Sequence, residues 1–412
     1  VDPAFAQRVV TLLSVLVAID YADRTSLGAI APDLRDDLGI SAAELGLVGG
    51  AFSVVGGLAA LIAGALVDRV PRLRLLGFSA LAWSVAMLAT GVAQNLLWLL
   101  LARASLGIVL ATVGPAYPSL VGDVETEDRR SVALGRIAIG QLLGGAAGIA
   151  LGAASVHFLD WRATFLVLAA PAVVVAVLLL RTAEPMRTEH HDDQPPWGAV
   201  VRLLLHTPTV LAVLLSASVG NYYLAGSNLY AVSFAKAHYG VSTAVADIAI
   251  LVLGAGAVLG IVWGSRLSDR LVALGAPAAR LRRCAQAYVV TALAWLPALL
   301  VPQLLVALPF LVVGSAALAA TLPVLDAVRV DLIPAPMRGR AEAVRTVLRA
   351  GVEGLAPLLF GVITDVIGND DRGLQVSFLT ALPSIVAAGW LLQRASHTYD
   401  ADAARKRPDL GG

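Results

Sequence analysis

Among the charged residues that stand inside long apolar runs are Asp20, Asp23, Arg24, Arg103, Arg349 and Glu353. An ionised side chain at membrane depth costs several kcal/mol unless a partner, a water-filled cavity or a proton relieves it. That cost allows two uses, a reversible proton site or a permanent ion pair. Asp20 and Arg24 lie four residues apart on one helix face, with Asp23 adjoining, so an acid–base network is available locally. Helix rise puts Asp23 about 12 Å inside the outer end of its run and Arg103 about 9 Å inside the outer end of its own, so their depths match. Glu342, Arg345, Arg349 and Glu353 follow one another at spacings of three, four and four, which places all of them along one helix face. Glu353, near mid-membrane, is the better proton acceptor, with Arg349 as its counter-charge. Each network serves either transport-linked proton exchange or permanent structural pairing.

The elements that hold these charges follow from composition. The 412 residues are 58% hydrophobic and 14% charged, against about 45–50% and 25% in a soluble domain. Apolar runs long enough to cross about 30 Å of hydrocarbon are predicted over 9–31, 44–66, 73–93, 97–121, 131–156, 161–181, 208–234, 243–265, 283–301, 302–326, 341–363 and 375–394. The fold class is therefore an all-α membrane protein of twelve transmembrane helices in two pseudo-symmetric six-helix bundles. The first bundle spans 1–181, a cytoplasmic linker 182–206, the second bundle 207–396 and a loose cytoplasmic tail 397–412. Arginines concentrate in connections on one side (Arg69, Arg72, Arg74, Arg129, Arg130, Arg181, Arg280, Arg282, Arg283, Arg338 and Arg340), while the other side holds Arg35, Arg162, Lys236 and Arg372. The positive-inside rule then puts both termini in the cytoplasm, in an expected bacterial cytoplasmic membrane. The first span lacks the pattern of a cleaved secretory signal and is expected to remain as structure.

Other features exclude competing functions. The single Cys284 cannot form an intramolecular disulfide or a four-cysteine metal site. His190, His191, Asp192 and Asp193 read as a solvated linker rather than a metal site, and no metal or cofactor is expected. Trp197–Leu205 reads as an interfacial segment, with Trp197 and Arg202 at headgroups and Val200, Val201 and Leu204 toward acyl chain. No nucleophile elbow, phosphate loop or dinucleotide loop stands in a suitable context, which argues against an enzyme. The arginines are divided among short connections, which argues against nucleic acid as a partner. The remaining partners are the bilayer and a small-molecule substrate, with the chain expected to be monomeric.

Leu66-Val67-Asp68-Arg69 and Leu267-Ser268-Asp269-Arg270 stand 201 positions apart, each after a glycine-containing apolar run. A design used twice in a membrane chain points to two bundles rocking about a site between them. Asp68, Arg69 and Arg72, with Asp269 and Arg270, are candidate inner-gate residues, joined by Asp326, Arg338 and Arg345. Gly140, Gly144, Gly148 and Gly152 recur every four residues and predict a close helix contact, used for packing, sliding or both. Gly254, Gly256, Gly260 and Gly264 form a less regular copy. Tyr21, Tyr117, Gln141, Asn221, Tyr222, Tyr223, Asn228 and Tyr230 are candidate cavity residues, mixing hydrogen-bonding groups with flat apolar faces. That mixture favours an amphiphilic solute over a sugar phosphate.

Over most of its length the chain resembles the major facilitator superfamily. Gly64, Leu66, Asp68, Arg69 and Arg72 are similar to the family's signature between spans two and three, with a second-half copy at Leu267, Asp269 and Arg270. Arg103 and Gly107 resemble its fourth-span pattern, and Pro336, Arg338 and Gly339 its loop between spans ten and eleven. Asp20-Tyr21-Ala22-Asp23-Arg24, Ala31-Pro32 and Leu38-Gly39-Ile40-Ser41 resemble the opening of spinster-type lysolipid transporters and of organic-anion symporters. The resemblance implies an inner gate at the span two–three signature, a role for the fourth-span arginine in coupling or in the charge network beside it, and a cavity drawn from spans one, four, seven and ten. The expected function is proton-coupled alternating access, with the proton as coupling ion, exporting a lipid-like or drug-like amphiphile by antiport. The alternatives are proton symport of a small organic anion and a membrane sensor or scaffold that carries nothing.

Overall fold

A computed structural model describes residues 2–125, 127–185, 196–334 and 337–405. The described residues form sixteen helices: α1 Pro3–Ala29, α2 Ala31–Leu38, α3 Ala42–Arg69, α4 Arg72–Gly91, α5 Leu96–Leu110, α6 Val113–Val124, α7 Glu127–Phe158, α8 Trp161–Arg181, α9 Trp197–His206, α10 Pro208–Tyr239, α11 Thr243–Ala273, α12 Ala279–Leu300, α13 Leu304–Ala319, α14 Leu322–Leu332, α15 Arg338–Ile367 and α16 Asp370–Arg405. Among the described residues, eleven stretches are long and apolar enough to cross a membrane. The twelfth expected span, the fourth, is divided between α5 and α6.

Spans four and ten, expected as continuous runs, are both broken, at Ala111–Thr112 and at Ala320–Thr321. The cause is shared. Pro115 and Pro323 have no N–H, so the carbonyls four residues earlier lose their helical donors. At each break a threonine hydroxyl also donates to a carbonyl three residues earlier, Thr112 Oγ1 to Val109 O at 3.1 Å and Thr321 Oγ1 to Leu318 O at 2.7 Å.

The chain divides into two compact units. The first comprises 1–192 together with 228–233 of α10 and 353–365 of α15; the second comprises 193–227, 234–352 and 366–412. In the first, Leu13, Leu16 and Val17 of α1 belong to one buried cluster with Trp83 and Met87 of α4, Leu106 of α5 and Ala176 and Leu179 of α8. Lipid supplies no hydrophobic drive between helices, so close backbone approach carries much of the association. The four-residue glycine repeat performs that role on α7. A Cβ built on Gly140, Gly144 or Gly148 would lie 2.7, 2.0 or 2.1 Å from the carbonyl oxygens of Ser14, Ala18 and Ala22 on α1. In the second unit a Cβ built on Gly260 or Gly264 of α11 would lie 2.0 or 2.1 Å from the Ala316 or Ala320 carbonyl oxygen, while one on Gly254 would face open space.

Two sequence expectations change here. In α9, Val200 and Leu204 are buried against protein, and Trp197, Val201 and Leu205 form the exposed stripe. The segment expected to be a loose tail continues α16 to Arg405, because Thr209 N donates to Asp402 Oδ2 at 3.0 Å and Thr209 pairs with Thr398. The Asp402 carboxylate thus satisfies an amide in the first turn of α10, a favourable place for a negative charge. His190, His191, Asp192, Asp193 and Pro336 lie outside the described residues.

Candidate functional site

The deepest charges meet in the first unit. Asp23 on α1 has no exposed surface, and the Arg103 side chain on α5 is 2% exposed. Arg103 Nη1 donates to both carboxylate oxygens of Asp23, at 3.2 and 3.3 Å. Its guanidinium carbon lies 4.6 Å from the Phe165 ring centroid, so an aromatic face covers part of the cation. The depth match read from the sequence therefore corresponds to a direct pair.

One residue further along α1, Arg24 is held differently. Its Nε donates to Asp20 Oδ1 at 2.8 Å, the expected contact across one helical turn, and Asp20 is buried. The Arg24 side chain remains 36% exposed. Two rings lie near this guanidinium, with centroids 5.0 Å away for Phe52 and 5.7 Å for Tyr21. Glu353 on α15 belongs to the same unit. A planar, permanently charged fork with aromatic rings nearby suits a carboxylate or phosphate attached to an apolar body.

The remaining cavity candidates separate by environment. Tyr117, Gln141, Asn221 and Tyr222 are half-buried and Asn228 is exposed. Tyr223 is buried in the second unit, stacked on Trp295 at 4.6 Å and edge-on to Phe378 at 5.7 Å. Tyr230 is fully buried, stacked on Phe360, and donates its hydroxyl to Ala42 O at 2.6 Å. The last two have the surroundings of packing residues.

At the helix ends expected to be cytoplasmic, each unit carries an arginine clamp. Buried Arg72, at the start of α4, pairs with Asp123 at the end of α6 and donates to Ser119. Glu184 accepts from the backbone N–H groups of Arg72 and Leu73 at 2.6 and 2.9 Å, capping α4. In the second unit buried Arg280, near the start of α12, donates through Nη2 to Asp331 and to the Tyr399 hydroxyl, both at 2.7 Å. Asp326, Arg329, Glu342 and Arg345 form a more exposed chain of ion pairs from α14 to α15. Asp269 and Arg270 are exposed near the end of α11. The side chains of Asp68, Arg69 and Arg338 lie outside the described residues. Arg349 is half-buried on α15, and the division between units falls just before Glu353.

The family model described as the Major Facilitator Superfamily matches residues 13–341. The chain belongs to the major facilitator superfamily. Among curated proteins it is 30% identical over 167 residues to the "Probable L-galactonate transporter" of Escherichia coli strain K12, covering 40% of this chain and 37% of that protein. It is 27% identical over 179 residues to "Protein spinster" of Drosophila melanogaster, covering 43% and 30% respectively. The chain thus spans less than half the length of these relatives. A crystal structure of a bacterial homolog of the human lysosomal transporter spinster, inward-facing and unoccupied, superimposes with a TM-score of 0.84 at 21% identity. That likeness covers 98% of this chain and 99% of the other, and it shows the fold.

In this major facilitator the clamp partners Asp123, Glu184, Arg280, Asp331 and Tyr399 are the residues that sequence reasoning missed. A signal was available. Arg72 and Arg280 stand 208 positions apart, and so do Asp123 and Asp331, so the two pairs repeat in register.

Proposed function

We propose that this major facilitator is a proton-coupled secondary transporter working by alternating access, and that its cargo is a small organic anion with an apolar or flat body. The carrying observation is the partly exposed Arg24 side chain, held at Nε by Asp20 and with the Phe52 and Tyr21 rings near its guanidinium. A cargo carboxylate or phosphate that takes Arg24 displaces Asp20 from it. Asp20 is buried, so a bare carboxylate there is costly, and a proton arriving with the anion removes the cost. Anion and proton then favour each other's binding, which is the linkage required for symport. The galactonate transporter named above supports an acidic cargo. A second reading is export of an amphiphile by proton antiport, supported by the half-buried Asn221 and Tyr222 on α10 and by the partial similarity to spinster.

The deciding experiment is flux in vesicles containing purified protein, with and without an imposed proton gradient. The panel comprises sugar acids, aromatic carboxylates, lysolipids and cationic amphiphiles. Arg24→Lys keeps the charge and loses the planar fork, so anion flux should fall roughly tenfold or more. Transport of a cationic amphiphile alone, untouched by Arg24→Ala, would overturn the anion reading.

A further inference from the structure

The end of α3 far from Asp68 carries an arrangement that neither the charge core nor the inner-gate residues use. Ser41 and Glu44 form a reciprocal capping box, Glu44 N donating to Ser41 Oγ at 3.2 Å and Ser41 N to Glu44 Oε2 at 2.8 Å. The first two helical amides are satisfied from much further along the chain. Ala42 N donates to Asp365 Oδ1 at 3.0 Å and Ala43 N to Asp365 Oδ2 at 2.8 Å. One carboxylate thus receives two parallel N–H bonds at the positive end of a 28-residue helix.

Below this cap the two segments touch backbone to backbone. Ideal Cβ atoms on Gly361, Gly46 and Gly50 would lie 2.3, 2.3 and 2.4 Å from the carbonyl oxygens of Ala42, Pro357 and Gly354. The buried Tyr230 hydroxyl closes the same corner by donating to Ala42 O. The seam is held by close backbone approach and by the polar cap, with the Val54 side chain against Gly354 and the Leu229 side chain against Gly49. Close packing of this kind is non-directional, so the paired N–H bonds to Asp365 are a directional attachment between the two segments.

We propose that Asp365 is a positioning residue of the transport cycle: a latch that holds 353–365 against the first turn of α3 and sets how readily that end of α3 is uncovered. This inference rests on the alternating-access reading, in which the site is exposed at each end in turn. Asp365 is itself solvent-exposed, so water can replace the latch without leaving a buried charge. A carboxylate buried at the same place would act as a permanent anchor.

The test uses Leu229, which is buried and would contact a Cβ on Gly49 at 3.1 Å, inside the seam. Leu229→Cys is made in a Cys284→Ser background, and its rate of modification by a maleimide is measured in lipid nanodiscs without cargo. Asp365→Asn replaces one acceptor oxygen by an NH2 group of the same size and should raise the rate roughly tenfold at unchanged thermal stability. Asp365→Ala should raise it at least as much. Equal rates in the parent and both variants would overturn the latch, as would faster labelling that merely tracks lost thermal stability, the mark of a folding anchor. Labelling needs no cargo, so it separates the two readings. Shifted labelling with no transport of any panel member would retain the latch and sink the transport reading; transport with unshifted labelling would do the reverse.

Discussion

Neutralising Asp23 should expose how much of the first unit depends on a single counter-charge. In Asp23→Asn, Arg103 keeps its charge at 2% side-chain exposure and loses a partner that accepts at 3.2 and 3.3 Å. Removing one member of a buried ion pair costs about 3–5 kcal/mol. The asparagine oxygen can still accept one hydrogen bond, which returns about 1 kcal/mol. The Phe165 ring at 4.6 Å covers the cation in both forms and cancels from the difference. The expected loss is therefore about 2–4 kcal/mol. Replacing both partners, as in Asp23→Leu with Arg103→Met, removes the orphaned charge and should recover most of that loss. The assay is a double-mutant cycle on reversible unfolding in mixed micelles, with the parent, Asp23→Leu, Arg103→Met and the double variant as its four corners. A coupling energy below about 0.5 kcal/mol would refute the pair as a dominant buried interaction. Flux through the double variant answers a second question. A stable protein that no longer responds to a proton gradient assigns the pair to coupling, whereas full proton-driven flux makes it structural.

Two further outcomes are expected. Gly144→Ala places a Cβ 2.0 Å from Ala18 O, whereas Gly145→Ala meets Thr25 Cγ2 at an ordinary 3.6 Å; the first should lower stability by about 1–3 kcal/mol and the second should not, and equal unfolding midpoints would disprove the α1–α7 contact. Glu353→Gln should depress flux driven by an external pH gradient more than it depresses cargo binding by the purified protein, and gradient-driven flux at the parent level would remove Glu353 from the coupling path.

What the sequence disclosed was periodic or local. Apolar runs located the spans, the four-residue glycine repeat located the α1–α7 contact, and the spacing of Asp20 and Arg24 gave their ion pair. The Asp23–Arg103 contact was reachable because both depths could be counted from span ends. The interruptions at Thr112 and Thr321 were concealed because hydropathy continues smoothly through Pro115 and Pro323, although a proline three or two residues after a threonine carried the information. Glu184 looked like the start of a polar linker because nothing local shows that its carboxylate caps a helix 112 positions earlier. Asp402 and Asp365 were obscured for the same reason, with partners 193 and more than 300 positions away. Tyr230 looked like a cavity residue because its type alone does not reveal that Ala42 O takes its hydroxyl.

The two arginine clamps also change how the chain's duplication is to be counted. The Leu-x-Asp-Arg strings repeat at 201 positions, whereas the clamps repeat at 208. An alignment of the two halves must therefore open a gap of seven residues, and it falls between Asp269 and Arg280. In the first half Asp68 is one residue from the end of α3; in the second, Asp269 is followed by a further helical turn to Ala273. The copied strings are homologous in sequence without being equivalent in place. A chimera that transplants the 68–72 connection into the second half would shorten it by about two helical turns, and the shortened connection, rather than the exchanged side chains, would dominate the phenotype.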